Sequence, residues 1–367
     1  MQINALTLEH FRNYERQSVR FVPGCNVIVG ENAQGKTNLL EAIVYLSCAH
    51  SPRTGREREL IAFEREAALL RGEVTSHGRD HVLEMQLFAG RRKKIVRNGV
   101  TLKRAADLAG TLNTVYFCPE DLLLIRDGAA ARRKFMDTCL SQLRPRYAEA
   151  LAEYSRLYEH KTRILRDLDE YPSLRDTLPE FDLRMAQMGA VLIHYRARFC
   201  RSLAAYAAAA HRECSGGREE LTLSYQTVST VSDAFAPTEQ LYAQLVEHQR
   251  AHAQAELSSR LCLSGPHKDD IAVSIGGSAA RQFSSQGQTR TAALSMKLAE
   301  REIVREITGE TPVLLLDDVL SELDPRRQEF VLNRIAGGQV FITCCEEDRL
   351  GTLLGGQVLR VENGEVR

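Results

Sequence analysis

A glycine-rich loop near the start of the chain could bind the phosphates of a nucleotide. It is the run Gly30-Glu31-Asn32-Ala33-Gln34-Gly35-Lys36-Thr37, which follows the pattern G-x-x-x-x-G-K-[ST]. In this pattern backbone N–H groups surround phosphate oxygens, the lysine reaches the β- and γ-phosphates, and the threonine hydroxyl coordinates Mg²⁺. The loop therefore predicts a nucleoside triphosphate site in which Lys36 and Thr37 contact the nucleotide and Mg²⁺.

Two adjacent aspartates could supply the acidic half of such a site. Asp317 and Asp318 follow the apolar run 313–316, which is typical of a buried parallel strand. In phosphate-loop ATPases an acid at the carboxyl end of such a strand holds Mg²⁺, largely through water. We expect Asp317 to be this Mg²⁺ carboxylate and Asp318 to polarise the attacking water.

A second anion site is predicted directly before a helix that extends to about residue 307. Helix N-termini attract anions, and this one follows the turn Ser284-Ser285-Gln286-Gly287-Gln288. One chain cannot easily use two such sites on one triphosphate. Together with the acidic strand end and the loop Ser321-Glu322-Leu323-Asp324, this signature resembles the ABC-type ATPase class. The resemblance implies that the signature of one subunit closes on ATP held by the phosphate loop of another.

The elements around these motifs predict an α/β ATPase head assembled from both ends of the chain. A strand at 26–29 enters the phosphate loop and a helix leaves it, while 313–316 and 340–342 are strands around a helix from about 325 to 336. Alternating apolar residues between 69 and 102, with the turn Asn98-Gly99, predict antiparallel strands.

The middle of the chain is mostly helical by pattern. Two heptad series, broken by Tyr171-Pro172-Ser173, predict a short antiparallel helix pair. The fold class is therefore α/β: an ABC/SMC-type phosphate-loop ATPase head with an antiparallel β subdomain and a helical lobe. We assign 1–120 and 258–367 to the head and 121–257 to the inserted helical lobe.

Composition is ordinary for a globular protein and excludes little. The 367 residues balance 48 basic against 48 acidic side chains, so any basic surface must be local. The first residues lack a charged segment followed by an apolar one, and no apolar run approaches the roughly 20 residues of a membrane helix. The nine cysteines form no C-x-x-C pair. We predict a cytoplasmic protein with reduced cysteines and no membrane partner.

Local basic clusters are the candidate DNA contacts. Arg53 and Arg56 follow the first helix, and Arg91, Arg92, Lys93 and Lys94 lie on one arm of the predicted hairpin around Asn98-Gly99. Such a patch can neutralise DNA phosphates. Charges on an edge hairpin also protect a sheet from aggregation. Both interpretations stay open for the hairpin.

Six motifs in order resemble the RecF family of bacterial DNA replication and repair proteins, whose heads are similar to those of SMC proteins without the very long coiled coil. The match runs from residue 3 to about 345. The motifs are Phe11-Arg12-Asn13-Tyr14, residues 30–38, Pro119-Glu120-Asp121-Leu122 with residues 132–137, residues 265–270, residues 284–288 and residues 316–324.

The resemblance implies a DNA-binding protein that dimerises on ATP and hydrolyses it weakly, with stimulation by DNA, as a switch. It implies action at single-stranded DNA gaps and their duplex junctions, where the protein helps RecO and RecR to load recombinase and supports SOS induction. By position, it places Arg12 near the nucleotide, Ser285 and Gln288 in the trans signature, and Ser321 and Asp324 in the loop after the acidic pair.

The runner-up function is the ATPase subunit of a membrane transporter. Against it stand the helical insertion, the S-S-Q-G-Q signature and Thr343, which occupies the position of the switch histidine of many transporter ATPases. The γ-phosphate sensor near Thr343 stays unassigned. A third possibility is a scaffold that stays locked on its nucleotide. Because Asp318 is shorter than the usual glutamate, we expect slow turnover, which suits a switch.

Overall fold

A computed structural model describes residues 1–335, 337–345 and 356–367. Residue 336, which we expected at the end of the helix that begins near 325, lies outside the described residues. The chain divides into two compact units: Met1–Leu123 with Met296–Arg367, and Leu124–Ser295. Our domain division stays a prediction, and these units differ from it by placing 258–295 with the helices. The reason is that a strand in this segment pairs with a strand from 221–226.

The elements follow in chain order. The strands are β1 (Gln2–Phe11), β2 (Tyr14–Arg20), β3 (Cys25–Val29), β4 (Ala67–Ser76), β5 (Arg79–Phe88), β6 (Lys94–Arg97), β7 (Val100–Thr101), β8 (Thr114–Phe117), β9 (Leu221–Gln226), β10 (Asp270–Ile275), β11 (Ser278–Ala279), β12 (Val313–Leu316), β13 (Val340–Cys344), β14 (Gln357–Glu362) and β15 (Glu365–Val366). The α-helices are α1 (Lys36–Cys48), α2 (Ala129–Leu143), α3 (Pro145–Asp167), α4 (Leu178–Cys214), α5 (Thr238–Ser259), α6 (Ala280–Phe283), α7 (Gln286–Thr308) and α8 (Pro325–Arg334).

The central sheet of the first unit carries the nucleotide motifs. Its strand order is β15-β14-β3-β13-β12-β8, and all neighbours except β15 and β14 are parallel. Leu316 at the end of β12 pairs with Phe117 and with Ile342, while Val29 at the end of β3 pairs with Cys344. The carboxyl ends of β3, β13 and β12 therefore share one edge, with β13 in the middle. This confirms the α/β head that the sequence predicts.

The predicted antiparallel sheet is also present in the first unit, with the order β2-β1-β4-β5-β6-β7. One hydrophobic core joins it to the central sheet, with contributions such as Leu8 from β1, Leu39 from α1, Leu83 from β5 and Leu315 from β12. Because α1 contributes to this core from several turns, burial of apolar surface fixes the helix that begins at the phosphate loop.

Helices dominate the second unit, as predicted. Near the end of α3, Lys161 pairs with Asp182 near the start of α4 at 2.6 Å, whereas Tyr147 near the start of α3 packs on Tyr195 later in α4. The two helices are therefore antiparallel. Lys161, the one gap in the first heptad series, is buried and also pairs with Glu256 at 2.5 Å. A buried ammonium is tolerated only with such partners.

Two of the family motifs meet inside this unit. Arg132 in α2 donates from Nε and Nη2 to the carboxylate of Asp270 at 2.7 and 2.8 Å. Arg196 of α4 donates to Asp269 at 2.9 Å and also pairs with Asp137. These motif residues therefore hold α2, α4 and β10 together. Among the helices that the structure describes, none combines the length and the apolar character needed to cross a membrane.

Candidate functional site

The phosphate loop connects β3 to α1, and its shape depends on two left-handed residues. Ala33 and Gly35 have φ values of 65° and 121°. A Cβ at position 35 would lie 2.7 Å from the side chain of Asn13, so glycine is required by both conformation and space. Among the described residues, no side chain caps the start of α1. The first N–H groups of α1 therefore remain available to an anion.

Residues of two neighbouring turns brace this loop. Tyr14 Oη donates to Gly35 O at 3.0 Å, and Asn13 Nδ2 donates to Gln34 O at 2.8 Å. From the turn between β14 and β15, Asn363 N donates to Gln34 Oε1 at 2.6 Å. Burial raises the pKa of Tyr14 well above its usual value, so its hydroxyl stays a donor. The motif 11–14 thus shapes the loop, a role that the sequence did not indicate.

Lys36 lies folded over the loop that it is expected to serve. Its side chain is 4% exposed, and Nζ donates to Gly30 O at 2.6 Å and to Glu31 O at 3.1 Å. Nζ is also 3.6 Å from Cys345 Sγ, which follows β13. The ammonium is therefore held above the carbonyls at the start of the loop, where a bound phosphate would compete for it.

Asp317 collects three hydroxyl donors. Thr37 Oγ1 and Thr343 Oγ1 donate to its Oδ1 at 2.9 and 3.0 Å, and Tyr116 Oη donates to its Oδ2 at 2.7 Å. Burial raises the pKa of Asp317, and the negative charge of Asp318 raises it further. The three hydroxyl donors act in the opposite direction. The structure thus brings together Thr37 and Asp317, the two residues predicted to hold Mg²⁺. Tyr116 was missed because nothing in its local sequence marks it.

This pair fits Mg²⁺. Mg²⁺ prefers hard oxygen ligands, keeps several of its waters and needs only one or two protein groups. Hydroxyl and carboxylate oxygens at 2.9 Å from one another supply this arrangement. Within the described residues no group of three or more His, Cys, Asp or Glu side chains could hold a metal by itself. The site is therefore suited to a cation that arrives with a phosphate.

Asp318 has a strained backbone that Thr343 stabilises. Its φ is 51°, in the left-handed region that non-glycine residues seldom adopt, and its N–H donates to Thr343 Oγ1 at 2.7 Å. Ser321 Oγ donates to Asp318 O at 2.6 Å. Thr343 therefore contacts both aspartates. The sequence left its role open because only the sheet order shows that β13 lies between β3 and β12.

Arg12 and Arg53 converge on one buried carboxylate. Arg12 donates to Glu41 through Nε and Nη2 at 2.9 and 2.8 Å, and Arg53 Nη1 donates to it at 3.3 Å. Glu41 is fully buried in α1, four residues after Thr37, and also accepts from Ser51 Oγ at 2.5 Å. Glu41 belongs to none of the sequence motifs, and its one sequence signal is that an acid lies within an apolar helix stretch. The placement of Arg12 at the nucleotide remains a prediction.

The basic segment 91–94 lies only in part on the predicted strand arm. Lys94 begins β6, but residues 91–93 form the loop between β5 and β6, because the ladder ends at Phe88 and resumes at Lys94. Arg91 stacks on the ring of Phe88 at 3.7 Å. Lys93 donates to Ala49 O at 2.6 Å and pairs with Glu57.

Arg53 and Arg91 are exposed although they contact Glu41 and Phe88, and three further basic candidates are exposed too: Arg92, Lys94 and Arg56. The side chain of Arg56 makes a long ion pair of 3.8 Å with Glu59. These side chains are more available to a phosphate backbone than Lys93 is.

The signature is a helix cap in the second unit. Ser285 directly precedes α7, its N–H donates to Gln288 Oε1 at 2.7 Å, and its Oγ accepts from Gln288 N at 3.2 Å. This reciprocal pair is a capping box. Ser285 and Gln286 are exposed, and Ser284 and Gly287 are half-buried. The turn therefore presents hydroxyl and amide groups at a helix N-terminus.

The loop after the acidic pair has a structural role at its end. Asp324 caps α8 by accepting from Arg327 N at 3.1 Å, and Ser321 is exposed. Slight burial favours a higher pKa for Asp324, but the hydrogen bonds and the charge of Arg327 outweigh this effect and lower the pKa. Asp324 is thus a helix cap, whatever else it contacts.

Comparison with known proteins identifies the family. Residues 2–362 match the family model described as RecF/RecN/SMC N terminal domain. A DNA replication and repair protein RecF from Lachnoclostridium phytofermentans is 36% identical over 368 residues, which cover 98% of this chain and 99% of that protein.

Two solved structures are similar over the whole chain. One is described as the recombination mediator protein RecF-ATPrS in the RecFOR pathway (TM-score 0.91, 34% identity, covering 100% of this chain and 97% of that one). The other is described as RecF-ATP in the same pathway (TM-score 0.89, 33% identity, 100% and 96%). The chain therefore belongs to the RecF family of DNA replication and repair proteins.

Proposed function

We propose that this member of the RecF family is a cytoplasmic, ATP-gated DNA-binding protein of replication and recombinational repair. The observation that carries the proposal is the network that joins the phosphate loop to the acidic pair: Thr37 and Thr343 both donate to Asp317, at 2.9 and 3.0 Å. Residues 280 positions apart are held at hydrogen-bond distance in the arrangement that a nucleotide and its cation require.

In this proposal the nucleotide is ATP, bound by the loop 30–37. Lys36 neutralises phosphate charge, and the N–H groups at the start of α1 donate to phosphate oxygens. Thr37 and Asp317 would hold Mg²⁺, which would supply positive charge against the phosphates. Asp318, oriented by Thr343, accepts a proton from the attacking water. Its short side chain favours slow hydrolysis, which DNA stimulates, so that turnover resets a switch.

Dimerisation on ATP follows from the two anion sites. Ser285 caps α7 and is exposed, so a partner's nucleotide can reach its hydroxyl and the adjacent backbone. We infer that the signature of each copy closes on ATP held by the other, in an ATP-dependent homodimer with two composite sites. Ser321 and Asp324, in the loop after the acidic pair, would lie at the same interface.

We further propose single-stranded and gapped DNA as the ligand and RecO and RecR as partners, with recombinase loading and SOS induction as the outcome. Support comes from family membership and from the RecFOR pathway in which the similar structures are described. Arg92, Lys94 and Arg56 are the preferred DNA contacts. Arg53 and Arg91 are also exposed but rank behind them, because Arg53 pairs with Glu41 and Arg91 stacks on Phe88, and the half-buried Lys93 ranks last. The comparisons lend no support to the membrane-transporter alternative.

Sizing the protein with and without ATP and Mg²⁺, each with and without gapped DNA, tests the gating. We expect a monomer without nucleotide and a dimer with ATP and Mg²⁺, further stabilised by gapped DNA. A protein whose size does not change with ATP would overturn the proposal.

Charge reversal tests the DNA surface. Arg92→Glu with Lys94→Glu should weaken DNA binding equally for all sequences. It should reduce the salt slope, for each phosphate that the protein no longer neutralises, by about 0.9 on duplex DNA and about 0.7 on single strands. Arg163→Glu with Arg166→Glu, on exposed positions of α3, is the matched control and should leave binding unchanged. Equal weakening in both double variants would remove residues 92 and 94 from the DNA surface.

A further inference from the structure

Glu219 lies beside the signature although it is 66 positions away from Ser285 in the chain. It follows the glycine turn that ends α4 and lies two positions before the start of β9. Its Oε1 accepts from Gln288 Nε2 at 3.0 Å, and its Oε2 is 3.4 Å from Nε2 of His211. His211 is fully buried in α4, whereas Glu219 is 28% exposed. The carboxylate therefore connects the body of the second unit to the exposed cap of α7.

This contact gives the NH2 group of the Gln288 amide a partner, in addition to the partner of its oxygen. In the capping box, Gln288 Oε1 accepts from Ser285 N at 2.7 Å. The backbone N–H can only donate and a carboxylate can only accept, so the two partners together specify which way the amide points. Without Glu219 the capping box would have to hold the amide alone. A charge-assisted hydrogen bond is about twice as strong as a neutral one.

We propose that Glu219 is a positioning residue for the signature, which holds Gln288 and through it Ser285 in the geometry that a partner's nucleotide meets. The inference rests on the proposed function, because it assigns the signature to a composite site in a homodimer. Glu219 itself does not touch the nucleotide. Its effect is confined to the closing of the dimer, since the loop 30–37 that binds ATP in each copy is braced by other residues.

The test compares ATP-dependent dimerisation and monomer ATP binding in three variants. Glu219→Ala should weaken the ATP-dependent dimer by about tenfold, the effect expected for removal of one charge-assisted hydrogen bond. Glu219→Gln keeps an oxygen acceptor and should restore most of the dimer affinity. Glu220→Ala, at the exposed neighbouring glutamate, is the matched control and should behave as the wild type. ATP affinity, measured at protein concentrations where all species are monomers, should be equal in all four proteins.

Each other outcome overturns the inference. Wild-type dimerisation in Glu219→Ala removes the positioning role, and so does a Glu219→Gln variant as weak as Glu219→Ala. Reduced ATP affinity in the Glu219→Ala monomer would make the contact merely structural. A double-mutant cycle with Gln288→Ala tests the contact directly. The effects of the two substitutions on dimer affinity should be less than additive if both remove the same hydrogen bond. If the wild type itself fails to dimerise with ATP, the proposed function fails first, which distinguishes the two results.

Discussion

The two helix N-termini that the sequence marks as anion sites, at α1 and α7, are built in opposite ways. The start of α1 has no side-chain cap among the described residues, and its preceding glycine has a φ of 121°. The start of α7 is closed by a capping box between Ser285 and Gln288. The start of α1 therefore offers its backbone N–H groups to an anion. At the start of α7 the capping box already binds some of these groups, so the turn offers side chains instead.

The supports of the two sites differ as well. The phosphate loop is held by Asn13, Tyr14 and Asn363 from two separate turns, and Thr37 is joined to Asp317. The signature is held by its own capping box and by Glu219. A loop braced from many sides suits tight binding that persists, and a cap with few supports suits a contact that forms and breaks.

The largest expected effect separates the two sites completely. Lys36→Met keeps the apolar stem of a residue that is 4% exposed and removes the positive charge that is expected to neutralise the phosphates. ATP affinity should fall by about 100-fold or more, because charge-assisted bonds to two phosphates disappear, and ATP-dependent dimerisation should vanish with the fold intact. Titration with a fluorescent ATP analogue, circular dichroism and sizing measure this. Unchanged dimer formation with ATP would contradict it, and Lys94→Met, at an exposed lysine, is the control.

A smaller effect is expected at the other helix. Ser285→Ala removes the cap oxygen that accepts from Gln288 N. Caps of this kind contribute about 1 kcal/mol, so we expect the ATP-dependent dimer to weaken roughly five- to tenfold while the monomer binds ATP normally. Ser258→Ala, in an exposed part of α5, serves as the control. A fall in monomer ATP affinity would show that the two sites are not separable in this way.

Low pH should destabilise the second unit, which carries the signature. Burial lowers the pKa of His267 to about 4, and its Nδ1 and Nε2 are occupied by Tyr154 Oη and Cys262 O at 2.7 and 3.0 Å. Between pH 6.5 and 4 the unfolded chain therefore takes up a proton that the folded protein refuses, so the free energy of unfolding falls as the pH falls.

The expected decrease is on the order of 1–3 kcal/mol across that window. Urea unfolding followed at several pH values measures it. His267→Gln should flatten the slope even if it lowers stability overall, and His160→Gln, at an exposed histidine of α3, should not. An unchanged slope in His267→Gln would assign the acid sensitivity to other groups.

The smallest effect concerns a single brace of the phosphate loop. Tyr14→Phe removes the hydroxyl that donates to Gly35 O at 3.0 Å and leaves the buried ring in place. One neutral hydrogen bond contributes about 0.5–1 kcal/mol, so ATP affinity should fall about two- to fivefold, with normal dimerisation at saturating ATP. Tyr171→Phe, at an exposed tyrosine outside the loop, is the control. Equal ATP affinity in Tyr14→Phe would mean that the remaining braces suffice.

Much of the fold was predictable because its signals are local. The apolar strands before Gly30 and Asp317, the heptad series around Tyr171 and the hairpin at Asn98-Gly99 each correspond to an element of the structure. The errors arose where a side chain's partner lies far away in the chain. Lys93 looked like a free surface charge, yet it is held by Ala49 O and Glu57.

The sequence by itself predicted two phosphate sites, at residues 30–37 and 284–288, because phosphate recognition uses short backbone segments that are contiguous in the chain. It also determined the family, through motifs that keep their order. Only the tertiary structure decided which polar groups serve each site. Tyr116 and Thr343 donate hydrogen bonds to Asp317. Arg12 donates to Glu41, and Gln288 donates to Glu219. These partners depend on strand order and helix packing, which bring together residues that no local pattern connects.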